Sequence, residues 1–179
     1  MNNVHFSSIT DEWRTPESFY SKLHEEFNFN FDPCPIGGLL NGLIDGLNCE
    51  WGARTFCNPP YSQIAKWVKK AYEESQKGKT VVLLIPSRTD TRWWHDYCMK
   101  GEIRFIKGRL KFGDAKNSAP FPSAVVIFTP TKEEVAALAD AAKMTIARAK
   151  EKTEAVIDAA HRRQIRGAMV YCSSEVIHE

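Results

Sequence analysis

The sequence predicts an α/β fold in which a mostly parallel sheet is finished by a terminal antiparallel hairpin and followed by a C-terminal helical extension. Three observations carry this. Thr80–Ile85 is an unbroken run of β-branched residues and leucine, the pattern of a strand whose two faces are both covered by helices. Helical spacing separates the earlier strand candidates, whereas the later ones follow one another directly. From Lys132 to Arg166 the chain is rich in Ala, Glu, Lys and Arg and holds neither proline nor glycine, so helix propensity is high throughout.

In chain order, Thr15-Pro16-Glu17 predicts a helix start, with threonine capping the orphan amides and proline at the first helical position. Phe19, Leu23, Glu26 and Phe27 then recur near helical spacing. Phe29–Asp32 alternates apolar and polar residues and stops at Pro33, as a short strand would. Cys34–Gly52 is glycine-bearing and aperiodic, hence loop-rich. Arg54–Cys57 is a strand that the pair Pro59-Pro60 must end. Ser62 caps a helix whose Ile64, Trp67, Val68 and Ala71 share a face, and Gly78 stops it. A third helix covers Thr91–Met99, and a strand at Glu102–Ile106 leads into the turn Lys107-Gly108. Leu110–Phe112 and Ala124–Phe128 are the next strands, separated by the Gly- and Pro-bearing stretch Gly113–Pro122.

The C-terminal stretch carries an intermittent apolar stripe, Val135, Leu138, Ala142, Thr145, Ile146, Ala149, Val156 and Ala160. It reads as one long helix or a helical hairpin, packed on the core or on a second copy of the chain. Met169–Glu179 has some strand character and the look of a tail. The chain thus organises as a catalytic domain over 1–130 and a helical extension and tail over 131–179.

Composition narrows the function. A chain of 179 residues at 43% hydrophobic content can bury one substantial core. The net charge of +2 neither demands nor forbids a polyanion, so a nucleic-acid surface must be a local patch. Met1–Asp11 lacks a secretory signal, and no segment approaches the ~18 apolar residues of a membrane span. A soluble, cytoplasmic protein that avoids the membrane is the expectation. Cys34, Cys49, Cys57, Cys98 and Cys172 are odd in number and contain no CxxC pair, which points to reduced thiols and to neither a disulfide framework nor a metal site.

Asn58-Pro59-Pro60-Tyr61 falls between a predicted strand and a predicted helix, where open α/β sheets bind ligands. The chemistry these residues suit is attack by an exocyclic amino group, whose lone pair is delocalised into its ring. Such a group needs hydrogen-bond acceptors more than it needs a base. The Asn58 oxygen and the Pro59 carbonyl can each accept one N–H. Consecutive prolines stiffen the turn that presents them. Tyr61 offers a flat face for a base rotated out of a duplex.

Several further motifs stand in order along the chain: Glu12-Trp13-Arg14-Thr15-Pro16, Phe31-Asp32-Pro33-Cys34-Pro35, Pro86 with Arg88 and Asp90-Thr91, Lys107-Gly108-Arg109-Leu110-Lys111-Phe112, and Ala119-Pro120-Phe121-Pro122-Ser123. With these and Asn58-Pro59-Pro60-Tyr61, the chain resembles the phage-type DNA N-6-adenine methyltransferase family from about Asp11 to Phe128, with the C-terminal helix from Thr131 outside the match. The resemblance implies a Rossmann-like methyltransferase sheet, S-adenosylmethionine as methyl donor, and adenine in double-stranded DNA as acceptor. It implies a protein encoded by a phage or prophage and working in the cytoplasm of a bacterial host.

It also implies that Trp13, Thr15, Pro16, Asp32, Pro33 and Cys34 line the cofactor site beside Asn58, with Asp32 or Asp45 accepting from the ribose hydroxyls or the cofactor amine. Where many methyltransferases carry an FxGxG turn, this chain has Phe31-Asp32-Pro33-Cys34-Pro35, with Gly37-Gly38 only afterwards. The cofactor therefore rests on the resemblance and not on a glycine signature. Phe121 or Ser123 would close over the target pocket.

Arg88, Arg92, Arg109, Lys111 and Lys116 cluster in two loops after predicted strands and would grip DNA phosphates. Trp13, Trp93 and Trp94 suit helix packing better than base stacking, and His95 receives no role. A homodimer through the C-terminal helix completes the expected partners. Two alternatives share these residues: a methyltransferase acting on cytosine N4 or an amide, and a DNA-binding protein that keeps the fold without turnover.

Overall fold

A computed structural model describes residues 14–35, 37, 39, 42–113 and 117–174. Among them the sheet has four strands, β1 (Arg54–Cys57), β2 (Thr80–Pro86), β3 (Glu102–Phe105) and β4 (Ser123–Phe128), in the order β1-β2-β4-β3. β1 and β2 are parallel, with Cys57 opposite Leu83. β4 lies between β2 and β3 and is antiparallel to both, so that Val126 faces Leu83 on one side and Ile103 on the other.

Two of the three pairings are antiparallel, and the mostly parallel sheet expected from the sequence does not form. The expected terminal antiparallel pair does form, between the consecutive strands β3 and β4, but without Leu110–Phe112, which is loop. Burial explains the strand order. Every residue of β4 is buried, and a strand with no exposed position is most stable with both edges paired and both faces covered. β4 therefore inserts into the sheet. β3 is antiparallel to β4 and β4 to β2, so β1, β2 and β3 all point the same way and their carboxyl ends share one edge.

Alternate residues of β2 feed two apolar layers. On one face, Val82 and Leu84 pack with Val125, Ile127, Phe56 and Phe29 under Leu23, Phe19 and Phe27 of α1 (Glu17–Phe27). On the other, Val81, Leu83 and Ile85 pack with Trp67, Val68 and Ala71 of α2 (Ile64–Ser75) and Trp94 of α3 (Arg92–Asp96). The expected strand at Phe29–Asp32 is reduced to one parallel bridge, Phe31 with Thr55 at the β1 edge.

The helix starts differ from the sequence reading. Pro16 takes the capping position of α1 without any side-chain cap, and the Thr15 hydroxyl is engaged elsewhere. Ser62 lies inside a 3-10 turn, Tyr61–Gln63, that precedes α2. The third helix is shorter than expected, with α3 followed by a separate 3-10 turn at Cys98–Lys100.

Glu74, on the last turn of α2, is the one buried charged residue among the described residues. Its carboxylate has no solvent access and meets Lys70 at 2.8 Å, Lys77 at 2.6 Å and Lys79 at 2.7 Å. The Trp51 amide donates to it at 3.3 Å. Four donors from α2, the following turn, the residue before β2 and the approach to β1 thus offset the cost of burying the charge.

Residues Met1–Lys132 and Glu133–Glu179 form two separate compact units. In the second, α4 (Lys132–Ser174) is one continuous helix of 43 residues, about 65 Å long, and not a helical hairpin. It runs through Met169–Ser174, where strand or tail character was expected, while 175–179 fall outside the described residues. No helix among the described residues is long and apolar enough to cross a membrane.

Candidate active site

The loop Asn58-Pro59-Pro60-Tyr61 leaves the carboxyl end of β1. Pro59 is fully buried and Tyr61 is 7% exposed, so the loop is anchored at both positions. Its polar group, the Asn58 amide, is held at each end. Nδ2 donates to Thr15 Oγ1 at 3.0 Å, and the Tyr61 hydroxyl donates to Asn58 Oδ1 at 3.0 Å. Thr15 was expected to cap α1; its hydroxyl instead serves the loop after β1. The Tyr61 ring packs edge-on against Phe121, with centroids 5.4 Å apart. The open stacking face expected of Tyr61 is thus turned into the core in this structure.

Asp32-Pro33-Cys34 passes directly beside this loop. The Asp32 carboxylate accepts the Cys34 amide at 2.9 Å. Burial raises the Asp32 pKa above the ordinary aspartate value, against hydrogen bonds from Cys34 that pull the other way. The Cys34 thiol lies 3.3 Å from the Asn58 carbonyl oxygen and 3.5 Å from the Cys57 sulfur. Cys57 is buried, and burial first, then Cys34, pushes its thiol well above the usual range.

A cavity of about 490 Å³ opens between these segments, a size in the range of small-molecule and cofactor sites. Thr15, Asp32, Pro33, Cys34, Asp45 and Asn58 line it, as does Pro60. Trp13 and Lys116 lie outside the described residues, and Pro16 is not among the lining residues. Asp45 spends its carboxylate on its own turn, accepting from the Leu47 amide at 2.9 Å and from Asn48 Nδ2 at 2.6 Å. Next to it, Gly46 presses on the Pro33 carbonyl so closely that a Cβ would stand 1.9 Å from that oxygen. Only glycine allows that approach.

Sequence reasoning missed part of the wall. Arg14, Glu17 and Tyr20 enter from the start of α1, Leu39 and Ile44 from the loop before β1, and Trp67 from α2. Trp67 read as an ordinary core position, and nothing local distinguishes a core tryptophan from one that also floors a cavity. Among the described residues, no group of three or more His, Cys, Asp or Glu could hold a metal ion.

A profile of the DNA N-6-adenine-methyltransferase (Dam) family matches residues 4–155. The chain belongs to that family. As a DNA N-6-adenine methyltransferase it transfers a methyl group to the amino group of adenine in DNA. The match begins before Asp11 and continues past Phe128 into α4, which corrects the shorter span read from the motifs. The DNA N-6-adenine-methyltransferase of Haemophilus phage HP1 (strain HP1c1) is 29% identical over 142 residues, covering 69% of this chain and 81% of the relative. No solved structure matches.

The methyltransferase carries its candidate DNA-gripping cations on the same sheet edge as Asn58. Arg88 and Arg92 follow the carboxyl end of β2, and Arg109 and Lys111 follow that of β3. Arg92, Arg109 and Lys111 are exposed, whereas Arg88 is half-buried. Arg109 also reaches the Ala119 carbonyl at 3.4 Å.

Proposed function

We propose that the cavity beside Asn58 binds S-adenosylmethionine and that Asn58-Pro59-Pro60-Tyr61 presents adenine to it, within a Rossmann-like methyltransferase site that departs from the usual strand order. The observation that carries this reading is that Asn58 belongs to both features, lining the cavity and standing in the loop with its amide held at each end. The donor set fits the cofactor. Asp32 and Glu17 offer carboxylates to its cationic centres, Arg14 a cation to its carboxylate, and Leu39, Ile44 and Trp67 apolar surface to its adenosine.

When bound, S-adenosylmethionine supplies an electrophilic methyl on a sulfonium. The chain's own part is placement. Asn58 Oδ1 and the Pro59 carbonyl accept the two N–H bonds of the adenine amino group and favour the positive charge that grows on its nitrogen. Thr15 and Tyr61 keep the Asn58 amide from rotating away, and the proline pair holds the backbone acceptor in place. Asp45 closes its own turn at the cavity's lip, so the ribose contact falls to Asp32.

The substrate is double-stranded DNA, gripped at its phosphates by Arg88, Arg92, Arg109 and Lys111, with Lys116 added by its place in the sequence alone, while Trp13 joins the cofactor site on the family motifs alone. The setting is the cytoplasm of a bacterial host, with the gene carried by a phage or prophage. α4 serves as a dimer contact. Val135, Leu138, Ile146, Val156 and Ile157 recur on one helical face and are all more than 40% exposed. Sedimentation of the full chain at micromolar concentration gives a dimer on this reading and a monomer against it.

The deciding experiment is transfer of tritiated methyl from S-adenosylmethionine to unmethylated plasmid DNA, followed by digestion to nucleosides and sequencing of the methylated positions. Label in N-6-methyladenine that falls by roughly a hundredfold or more in Asn58→Ala supports the loop assignment. A folded protein that binds DNA and transfers no label overturns it in favour of a binding module.

A further inference from the structure

From Arg109 to Gly113 exposure alternates along the chain. Arg109, Lys111 and Gly113 are exposed, Leu110 is half-buried and Phe112 is buried. The two cations proposed to grip phosphates therefore stand on the outside of a segment whose alternate residues turn into the protein. The segment is fastened on two sides. On one, the Leu110 carbonyl accepts the Ala119 amide at 2.8 Å, and the Phe112 ring packs against Phe121 with centroids 6.3 Å apart. On the other, the Gly113 amide donates to the Arg14 carbonyl at 2.8 Å.

Both fastenings lead to Asn58. Phe121 packs edge-on against Tyr61, whose hydroxyl donates to Asn58 Oδ1 at 3.0 Å. Arg14 is followed directly by Thr15, whose hydroxyl accepts from Asn58 Nδ2 at 3.0 Å. One short stretch of chain thus stands behind both hydrogen bonds that hold the amide. The fit at Gly113 has little slack, because its φ is +50° and a Cβ there would lie 3.3 Å from the Arg14 Cβ. Glycine is the residue that takes this conformation without strain. Packed rings and hydrogen bonds of this kind can carry energetic coupling between a surface contact and a reacting group.

We infer that Phe112 and Gly113 are positioning residues for methyl transfer. Phe112 steadies the acceptor end of the Asn58 amide through Phe121 and Tyr61, and Gly113 steadies its donor end through Arg14 and Thr15. Neither residue lines the cavity beside Asn58. Seating the duplex on Arg109 and Lys111 and aligning Asn58 then depend on one piece of chain. This rests on the reading of Asn58-Pro59-Pro60-Tyr61 as the loop that holds adenine.

The test is a pair of double-mutant cycles read by single-turnover methyl transfer to unmethylated plasmid DNA, with plasmid and S-adenosylmethionine both saturating. Phe112→Leu and Gly113→Ala are each expected to slow the rate by roughly tenfold, with both affinities held within about twofold. In a Tyr61→Phe background, which lacks the hydroxyl, Phe112→Leu costs less than about twofold, whereas in Thr15→Val it keeps its full effect. Gly113→Ala shows the opposite pattern, losing its effect in Thr15→Val and keeping it in Tyr61→Phe. A role in folding alone would not move with the background in this crossed way.

Equal losses in every background, no loss in any, or a loss confined to DNA or cofactor affinity overturn the inference. Should Phe112→Leu fail to fold, Phe112→Met or Phe121→Leu enters the same cycle. Should Tyr61→Phe be too slow to measure, the crossing of Gly113→Ala with Thr15→Val decides. A wild type that labels no adenine at all would instead defeat the reading of the loop.

Discussion

The Asn58 side-chain nitrogen donates to the Thr15 hydroxyl at 3.0 Å, across 43 positions of sequence. The bond ties the segment entering α1 to the loop leaving β1, and with the Tyr61 hydroxyl on the other end it sets which way the Asn58 amide faces. A rotated amide would present N–H to an amino group that needs an acceptor.

Thr15→Val, which keeps the shape and deletes the hydroxyl, is expected to lower kcat by roughly tenfold. Thr15→Ser should recover most of it. Single-turnover rates beside calorimetric S-adenosylmethionine affinities check this. A loss confined to cofactor affinity, with kcat intact, would mean that Thr15 serves the cavity and not Asn58.

Cys34 is half-buried and lines the cavity, whereas its neighbour Cys57 is buried with its thiol pKa pushed up. N-ethylmaleimide should therefore alkylate Cys34 well before Cys57, and saturating S-adenosylmethionine should slow that labelling by roughly tenfold or more. Peptide mass spectrometry over time reads both rates. Labelling at the same rate with and without the cofactor would put the cofactor elsewhere.

Gly46→Ala drives a Cβ to 1.9 Å from the Pro33 carbonyl oxygen and 2.9 Å from the Trp67 ring, so the cavity wall must shift. A stability loss of about 1–3 kcal/mol is expected, with weakened S-adenosylmethionine binding. Gly37→Ala is the contrast, since its Cβ meets nothing within 4 Å and only its φ of +80° opposes the change. Urea unfolding and calorimetry on the two variants should separate packing at the wall from backbone strain.

Burial raises the Glu74 pKa, but hydrogen bonds from Lys70, Lys77, Lys79 and the Trp51 amide outweigh it and hold the carboxyl down at about 2. A depressed carboxylate contributes stability that is complete above its unfolded value of 4.5 and is lost as pH falls toward 2. The urea midpoint should therefore drop across that window. Glu74→Gln should cost about 3 kcal/mol at neutral pH, by leaving the lysines without their shared partner, and should flatten the acid limb. An unchanged acid limb in the variant would assign the pH dependence to other carboxylates.

Much of the local structure was legible before any coordinates. β2 and β4 declared themselves through unbroken apolar runs, α2 through the spacing of Ile64, Trp67, Val68 and Ala71, and the place of the Asn58-Pro59-Pro60-Tyr61 loop between a strand and a helix through its proline pair. Helix caps were less legible. Thr15 and Ser62 are good capping residues by type, yet one bonds Asn58 and the other sits inside a 3-10 turn. A hydroxyl near a helix start takes whichever partner the tertiary structure brings, and the sequence names only the local candidate.

The sequence by itself determined the family, the position of the Asn58-Pro59-Pro60-Tyr61 loop and the place of most elements, because periodicity, turn residues and ordered motifs are local properties of the chain. Only the tertiary structure decided that β4 inserts between β2 and β3 and that Tyr61 turns its ring inward against Phe121. It also assembled the cavity from the start of α1, residues 32–35 and 44–46, the end of β1 and α2. Those outcomes follow from which surfaces are buried together. Burial is settled by partners far apart in sequence, whose pairing no local pattern records.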